Sequence, residues 1–464
     1  MAIIALIPGL IAAYFAWFRS PQFAFLNVYV PVLLLVPDYY RVVLPALPDP
    51  TSSQGAALAI FLVFLARGAP GYRFSFYDLI MFGFAATAAI SQYLAAGYND
   101  AQNLMFGMLA GGIFPYILAK SLVEPLGLRV DFAKRIVVCL FVVAIACLYE
   151  ARLASNPWKL LLGRFFPGQG DTWIITFRWG LARCAGPYGH AILAGIMMVV
   201  GYRLQRWLEW SGAWQRPRHP LLKWLPWPPL SEGQVYTLGV LGGVFLTLVK
   251  GPWLAGVVAA VVVLIGRLRN RWIGVGILLA FLLLICLPGA IWFLQWAGVG
   301  RDNAESVNQE TAAYRLELVQ NYIDIAKEKL WLGWGLTAWP KVPGSESIDN
   351  YYLLLFLMHG LIGLTLYLII LIGMTVRLIA HAMRQPNPQP LGSSLAFTLA
   401  GVYIVYLVSV ATVYMGEQTV PLLFLITGWA EGYMRSGQEQ TLPGTGPAPA
   451  AQPATPFRFR RILS

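Results

Sequence analysis

Charge is scarce in this chain. Only 12% of its 464 residues are Asp, Glu, Lys or Arg, against about 25% in soluble domains. That deficit, with 58% hydrophobic residues and a mean hydropathy of +0.63, excludes an ordinary soluble enzyme. Histidine is also sparse. The 4 His residues are scattered, so no zinc or di-metal cluster is suggested, and neither a metal nor a cofactor is expected. Cysteine is equally rare, with 4 residues. Cys139, Cys147 and Cys286 fall inside apolar runs, and neither a disulfide framework nor a CxxC spacing is present. No dense Lys/Arg run accompanies a soluble fold, which argues against nucleic acid as a partner despite the net charge of +12.

Long apolar runs are what the chain has in quantity. Many reach about 17–25 residues, the length of a transmembrane helix. They predict an all-α polytopic membrane protein with about 12–13 spans. The spans fall at about residues 3–18, 23–40, 55–66, 76–97, 101–119, 134–150, 186–205, 233–249, 251–266, 272–295, 351–376, 395–415 and 419–434. One membrane domain, 1–435, is followed by a Pro/Ala-rich tail, 436–464, whose composition predicts disorder. Arg19 follows the first apolar run instead of preceding it, so this run reads as an uncleaved helix.

Orientation follows from Lys and Arg in short connections, because these residues collect on the cytoplasmic side. Lys120, Arg129, Lys134 and Arg135 flank one connection. Arg203, Arg206, Arg216, Arg218 and Lys223 fill another. Arg267, Arg269 and Arg271 mark a third, and Arg377 and Arg384 a fourth. The loops 151–185 and 299–350 then lie on the opposite, periplasmic side. Between Val299 and Tyr352, eight acids stand against five bases, a net charge of −3, which suits that side. The 151–185 loop breaks the pattern, because Arg152, Lys159, Arg164, Arg178 and Arg183 put positive charge outside.

Four sets of residues are candidates for chemistry. Arg178 and Arg183 precede the 186–205 span, where a planar guanidinium suits phosphate; contact with lipid headgroups is the plainer alternative. Lys250, in Val249-Lys250-Gly251-Pro252-Trp253, sits between two apolar runs with almost no loop. A charge there is costly unless it is paired or functional. Arg301 and Arg315 lie in the long polar loop. Residues 311–330 read as an amphipathic helix with an apolar stripe at Leu316, Val319, Ile323, Ala326 and Leu330. Arg315 falls beside that stripe, either snorkelling to the interface or turned inward to bind an anion. Asp349-Asn350-Tyr351-Tyr352 opens the next span, where Asp349 is an N-cap or a general base. His190 and His359 read as packed histidines, with His190 close to the Arg183 segment.

Taken in order, three landmarks resemble the O-antigen ligase and Wzy polymerase superfamily. They are Arg183-Cys-Ala-Gly-Pro-Tyr-Gly-His-Ala, Lys250-Gly-Pro-Trp-Leu-Ala-Gly, and Arg315 followed by Leu332-Gly-Trp-Gly and Asp349-Asn-Tyr-Tyr-Leu. The resemblance covers about residues 75–434. It implies a GT-C-like, metal-independent, inverting glycosyltransferase of the bacterial inner membrane with its site facing the periplasm. The implied substrate is an oligosaccharide linked to undecaprenyl diphosphate within the membrane lipid, and the implied partners are a flippase and a chain-length regulator of the same pathway. Arg183 and Arg315 match the residues that hold the diphosphate, and Lys250 stands where relatives carry Arg. Where ligases carry a catalytic His before Asn, this chain has Asp349. That departure favours an exopolysaccharide polymerase over a ligase of lipid A core. The resulting catalytic set is Asp349, Arg183 and Arg315, and the substrate-binding set is Arg178, Lys250, Arg301, His190, Asn350 and Tyr351. A transporter or flippase is the reading from another class, but such proteins often show internal repeats and none stands out here.

Overall fold

A computed structural model gives the fold; it describes residues 2–44, 47–170, 175–216, 230–345, 347–385, 394–416 and 418–436. The 437–464 part of the tail, together with Arg218, Lys223 and Glu346, lies outside the described residues. Helices follow the apolar runs: α1 (Ile7–Phe18), α2 (Pro21–Leu35), α3 (Ser52–Ala66), α4 (Phe76–Ala96), α5 (Tyr98–Leu122), α6 (Arg129–Leu153), α7 (Ala191–Trp210), α8 (Glu232–Leu246), α9 (Lys250–Ile265), α10 (Arg271–Ala297), α11 (Val307–Glu328), α12 (Tyr351–Arg384), α13 (Leu395–Ser409) and α14 (Thr419–Ser436). Five of them, α4, α5, α6, α10 and α12, are long and apolar enough to cross a membrane. The chain is a multi-pass, all-α membrane protein.

Packing follows residue size. α9 runs along α13, α1 along α3, and α8 lies against both α6 and α7. α14 meets the second half of α5 through Gly428 and Gly432. A Cβ on Gly428 would lie 2.0 Å from the Tyr116 carbonyl oxygen, so the two backbones touch as small residues four apart allow. α10 is the exception. Apolar on every face, it contacts its neighbours chiefly near its ends, and none of its most apolar stretch is buried in the protein. That is the pattern of a helix bathed in lipid.

The basic connections gather at one end of the bundle. There Lys120 pairs with Asp78 at 2.5 Å, Arg129 with Glu124 at 2.7 Å, and Arg377 with Glu431. Arg271 Nη1 donates to the Ala382 carbonyl at 2.6 Å, joining the third and fourth connections. The polar loops occupy the other end.

The long polar loop is fastened by a break in α12. Gly360 adopts φ 64°, ψ −168°, which frees two carbonyls before it and two N–H groups after it. The loop after α11 takes all four. Trp334 N donates to Leu357 O (2.7 Å) and Gly335 N to Met358 O (3.0 Å). In return, Leu361 N donates to Leu330 O (2.7 Å) and Ile362 N to Trp331 O (3.3 Å). Non-helical backbone at membrane depth survives only when it is paired in this way. The Gly333-Trp334-Gly335 sequence is therefore a structural splice.

The splice leaves no room for a side chain. A Cβ on Gly360 would sit 2.3 Å from the Trp331 carbonyl. Gly360→Ala should lower the melting temperature of the purified protein in detergent, the backbone conformation alone costing about 1–3 kcal/mol. Gly289→Ala, with nothing within 4 Å of the new methyl, should leave it unchanged.

Candidate functional site

Two polar segments meet at the loop end of the bundle. The first is 154–190. It contains a short helix, Pro157–Leu162, and a two-stranded hairpin, β1 (Phe177–Arg178) and β2 (Leu181–Ala182), which the apolar pattern did not predict. Trp179 and Gly180 turn it with φ of 53° and 76°, the paired positive values of a tight hairpin turn. Arg178 leaves this hairpin, and its Nη1 donates to the Leu248 carbonyl at 2.6 Å. Lys250, two residues further on, is exposed at the first position of α9.

Glu150, near the end of α6, holds the segment's other side. Its carboxylate is 1% exposed and accepts from Gly186 N (2.9 Å), Ala185 N (3.2 Å) and Asn156 Nδ2 (3.1 Å). Cys147, Glu150 and Cys184 bring donor atoms within 4.8 Å of one another. Both Glu150 oxygens already serve backbone N–H groups, and Cys184 Sγ donates to the Cys147 carbonyl at 3.1 Å. The arrangement is a buried carboxylate cradle that fixes residues 183–190. Sequence reasoning passed it over; a lone acid near the end of an apolar helix was its signal.

Within the fixed segment, Arg183 is half-buried. Its Nη1 donates to Thr176 Oγ1 at 3.3 Å, and its buried Nε has no partner among the described residues. Burial, and then the neighbouring Arg178, lower its affinity for its proton. Two guanidinium groups near enough to repel, one of them with an unpartnered Nε, make a candidate anion site.

His190 caps α7, its Nδ1 accepting from Ile192 N at 3.1 Å. In the neutral ring the proton is therefore on Nε2. Burial and then Arg183 hold the imidazole below its ordinary value, while the Asp349 carboxylate pulls it back up. Asp349 and Arg183 thus both act on His190, although they stand 166 residues apart in sequence. Ser347 Oγ donates to Asp349 Oδ1 at 3.1 Å. Tyr314, on α11, donates to the Ser347 carbonyl at 2.8 Å; burial and then Asp349 raise its phenol. Its position beside Arg315 was the only clue that sequence offered.

Several expected binders have other employment. Asn350, not Asp349, caps α12, its Oδ1 accepting from Tyr352 N (3.0 Å) and Leu353 N (3.2 Å). Tyr351 is buried, with its ring 5.5 Å from that of Tyr367. Arg301 pairs with Glu317 at 2.6 Å and lies over the Tyr314 ring, which ties the loop to α11. The buried face of α11 runs through Leu318, Tyr322 and Ala326, whereas Val319, expected inside, is exposed. The Tyr322 hydroxyl donates to Ser345 O at 2.9 Å and accepts from Val342 N, and these bonds turn that face inward. Arg315, two turns ahead of Tyr322, shares its face, is exposed, and has no ion pair among the described residues.

Backbone contacts close the ring. Tyr351 N donates to Val410 O at 3.0 Å, and Gln418 Nε2 donates to Pro187 O at 3.2 Å. The 410–418 connection thus lies between the Asp349 and Arg183 segments.

Residues 235–368 match the O-antigen ligase family model. This match likens that stretch of the chain to the O-antigen ligase and Wzy polymerase superfamily. The matched residues include Lys250, Arg301, Arg315 and Asp349; Arg178, Arg183 and His190 precede them. No curated protein matches the chain.

The cradle and the His190 pair each yield a test. In Glu150→Gln one oxygen is lost, so the Ala185 and Gly186 amides should exchange with deuterium about 10–100-fold faster, as expected for a lost bond to a charged acceptor. Histidine NMR should show His190 protonating below its ordinary range. Asp349→Asn removes the stabilising charge and should move that titration to still lower pH. A shift to higher pH would contradict the arrangement.

Proposed function

We propose that this protein transfers glycan from an undecaprenyl-diphosphate-linked donor to an acceptor hydroxyl at the periplasmic face of the inner membrane. The observation that carries the reading is that Arg178 and Asp349 both lie within electrostatic reach of the Arg183–His190 segment, with Arg178 tied to Leu248 just before Lys250, in a chain whose residues 235–368 match the O-antigen ligase family. The departing group in such a transfer is a diphosphate, on which negative charge grows. Arg183, with its unpartnered Nε, and Arg178 are preorganised to receive that charge, and Lys250 and Arg315 add to the field. Electrostatic stabilisation of this kind is usually the largest catalytic effect.

Asp349 takes the proton of the acceptor hydroxyl, while neutral His190, whose Nδ1 is engaged by Ile192 N, keeps its own proton on Nε2. The chemistry asks for no metal, because the guanidinium groups supply the positive charge. We assign the acceptor to a second lipid-linked repeat unit, which makes the protein a polymerase. The family description favours the other acceptor, lipid A core.

Purified protein given a lipid-linked repeat unit should make a ladder of glycans on the carrier. A single glycan-capped lipid A product would instead make it a ligase. Translocation across proteoliposomes without glycan extension would make it a flippase. Activity abolished by chelator and restored only by a divalent ion would overturn metal independence. Asp349→Asn should cost about 10²–10⁴-fold in rate with donor binding retained. Arg183→Lys keeps the charge but loses the guanidinium fork, and should weaken donor binding.

A further inference from the structure

Far from the proposed reaction site, Arg203 lies buried in α7 and forms no ion pair among the described residues. It is 7% exposed, and its Nε has no hydrogen-bond partner among the described residues. Its guanidinium lies over the ring of Tyr202, 4.7 Å away. The nearest acid on its own helix, Glu209, is committed to Arg206 at 2.5 Å and to Thr237 at 2.6 Å. A cation held this way is costly unless something pairs with it.

The space beside it is not empty of meaning. Arg203 and Tyr202 line a cavity of about 710 Å³ between α7, α8 and α9. Leu238, Leu241, Val257 and Ala260 make its walls apolar, and Phe245 and Trp253, stacked at 5.6 Å, lie at its far end. Arg203 lies about 10 Å of helix from Trp210, at the basic end of the bundle, and about 18 Å from the loop end of α7. Beyond it, Arg206 and Arg267 both lie over the Trp210 ring, at 4.8 and 4.7 Å. The groove thus has a charged mouth on the basic side and an apolar body running towards the loops.

We propose that this groove binds an anionic phospholipid from the leaflet at the basic end, with its phosphate on Arg203 and an acyl chain along α8 and α9. A guanidinium pairs with phosphate through two parallel hydrogen bonds. Arg206 is offset by Glu209, but Arg203 and Arg267 leave the mouth positive and repel a headgroup that carries its own ammonium, so phosphatidylglycerol is preferred to phosphatidylcholine. The inference stands whether or not the glycan-transfer reading holds.

Delipidated, detergent-purified full-length protein is titrated with phosphatidylglycerol, phosphatidylcholine or a short polyprenyl phosphate, and binding is read by native mass spectrometry. Phosphatidylglycerol should bind wild type more tightly than phosphatidylcholine, and Arg203→Gln should weaken it about 10–100-fold, as loss of a charge-assisted contact predicts. Gly242→Phe should block the same site sterically. Gly242 lines the groove with nothing within 4 Å of an added Cβ, so this variant tests the groove even if Arg203→Gln fails to fold. Equal binding of the two phospholipids, or wild-type binding by either folded variant, overturns the proposal. So does polyprenyl phosphate displacing phosphatidylglycerol from wild type, which would assign the groove to the carrier's tail.

Discussion

Backbone pairing at the Gly360 break is the constraint on which the loop end of the molecule depends. Inside a bilayer, each freed carbonyl or N–H must find a partner within the protein. α12 breaks and frees four such groups, and residues 330–335 supply four matching ones. The exchange locks the polar loop to the bundle independently of side-chain packing. It sets where α11 ends, and the loop's return to Asn350 then sets where α12 begins. Trp334 adds to the lock through Nε1 to Ile325 O at 2.9 Å, and Gln92 Oε1 accepts from Leu336 N at 2.7 Å.

A second anchor works by charge. Glu150 sits within the bundle, yet its carboxylate is satisfied by two backbone amides and a side-chain amide. This carboxylate faces polar donors instead of a cation, so it fixes the conformation of residues 183–190 without neutralising Arg183. The guanidinium groups nearby keep their charge for an anion. Each anchor carries one half of the candidate site, and the 410–418 connection bridges them.

The two ends of the bundle treat charge in opposite ways. At the basic end, Lys120, Arg129 and Arg377 are matched by Asp78, Glu124 and Glu431. These pairs close the interior where α4, α5, α6, α12 and α14 converge. At the loop end, Arg183 and Arg315 form no ion pair among the described residues. For half-buried Arg183 an unmatched charge is costly to keep, and the anionic donor proposed above would offset that cost. Arg203 shares the feature at the basic end, and for that reason it invites a ligand of its own.

Composition and apolar run length determined the membrane class, the helices and the grouping of basic connections, because burial in lipid acts on every residue of a span. Local rules also fixed that a residue of the Asp349-Asn350 pair caps α12, although only the structure chose Asn350. The rest was decided in three dimensions. The sequence offered Arg301 as a substrate binder and Arg315 as a catalytic residue, and the fold spent the first on Glu317 and left the second exposed. Periodicity put Val319 inside, but the contacts of Tyr322 with residues 342–345 turned the helix towards Leu318. No sequence pattern joins His190 to Asp349 or Arg203 to an apolar groove. Such pairings arise when helices distant in the chain pack side by side, and packing, unlike hydropathy, belongs to no single segment.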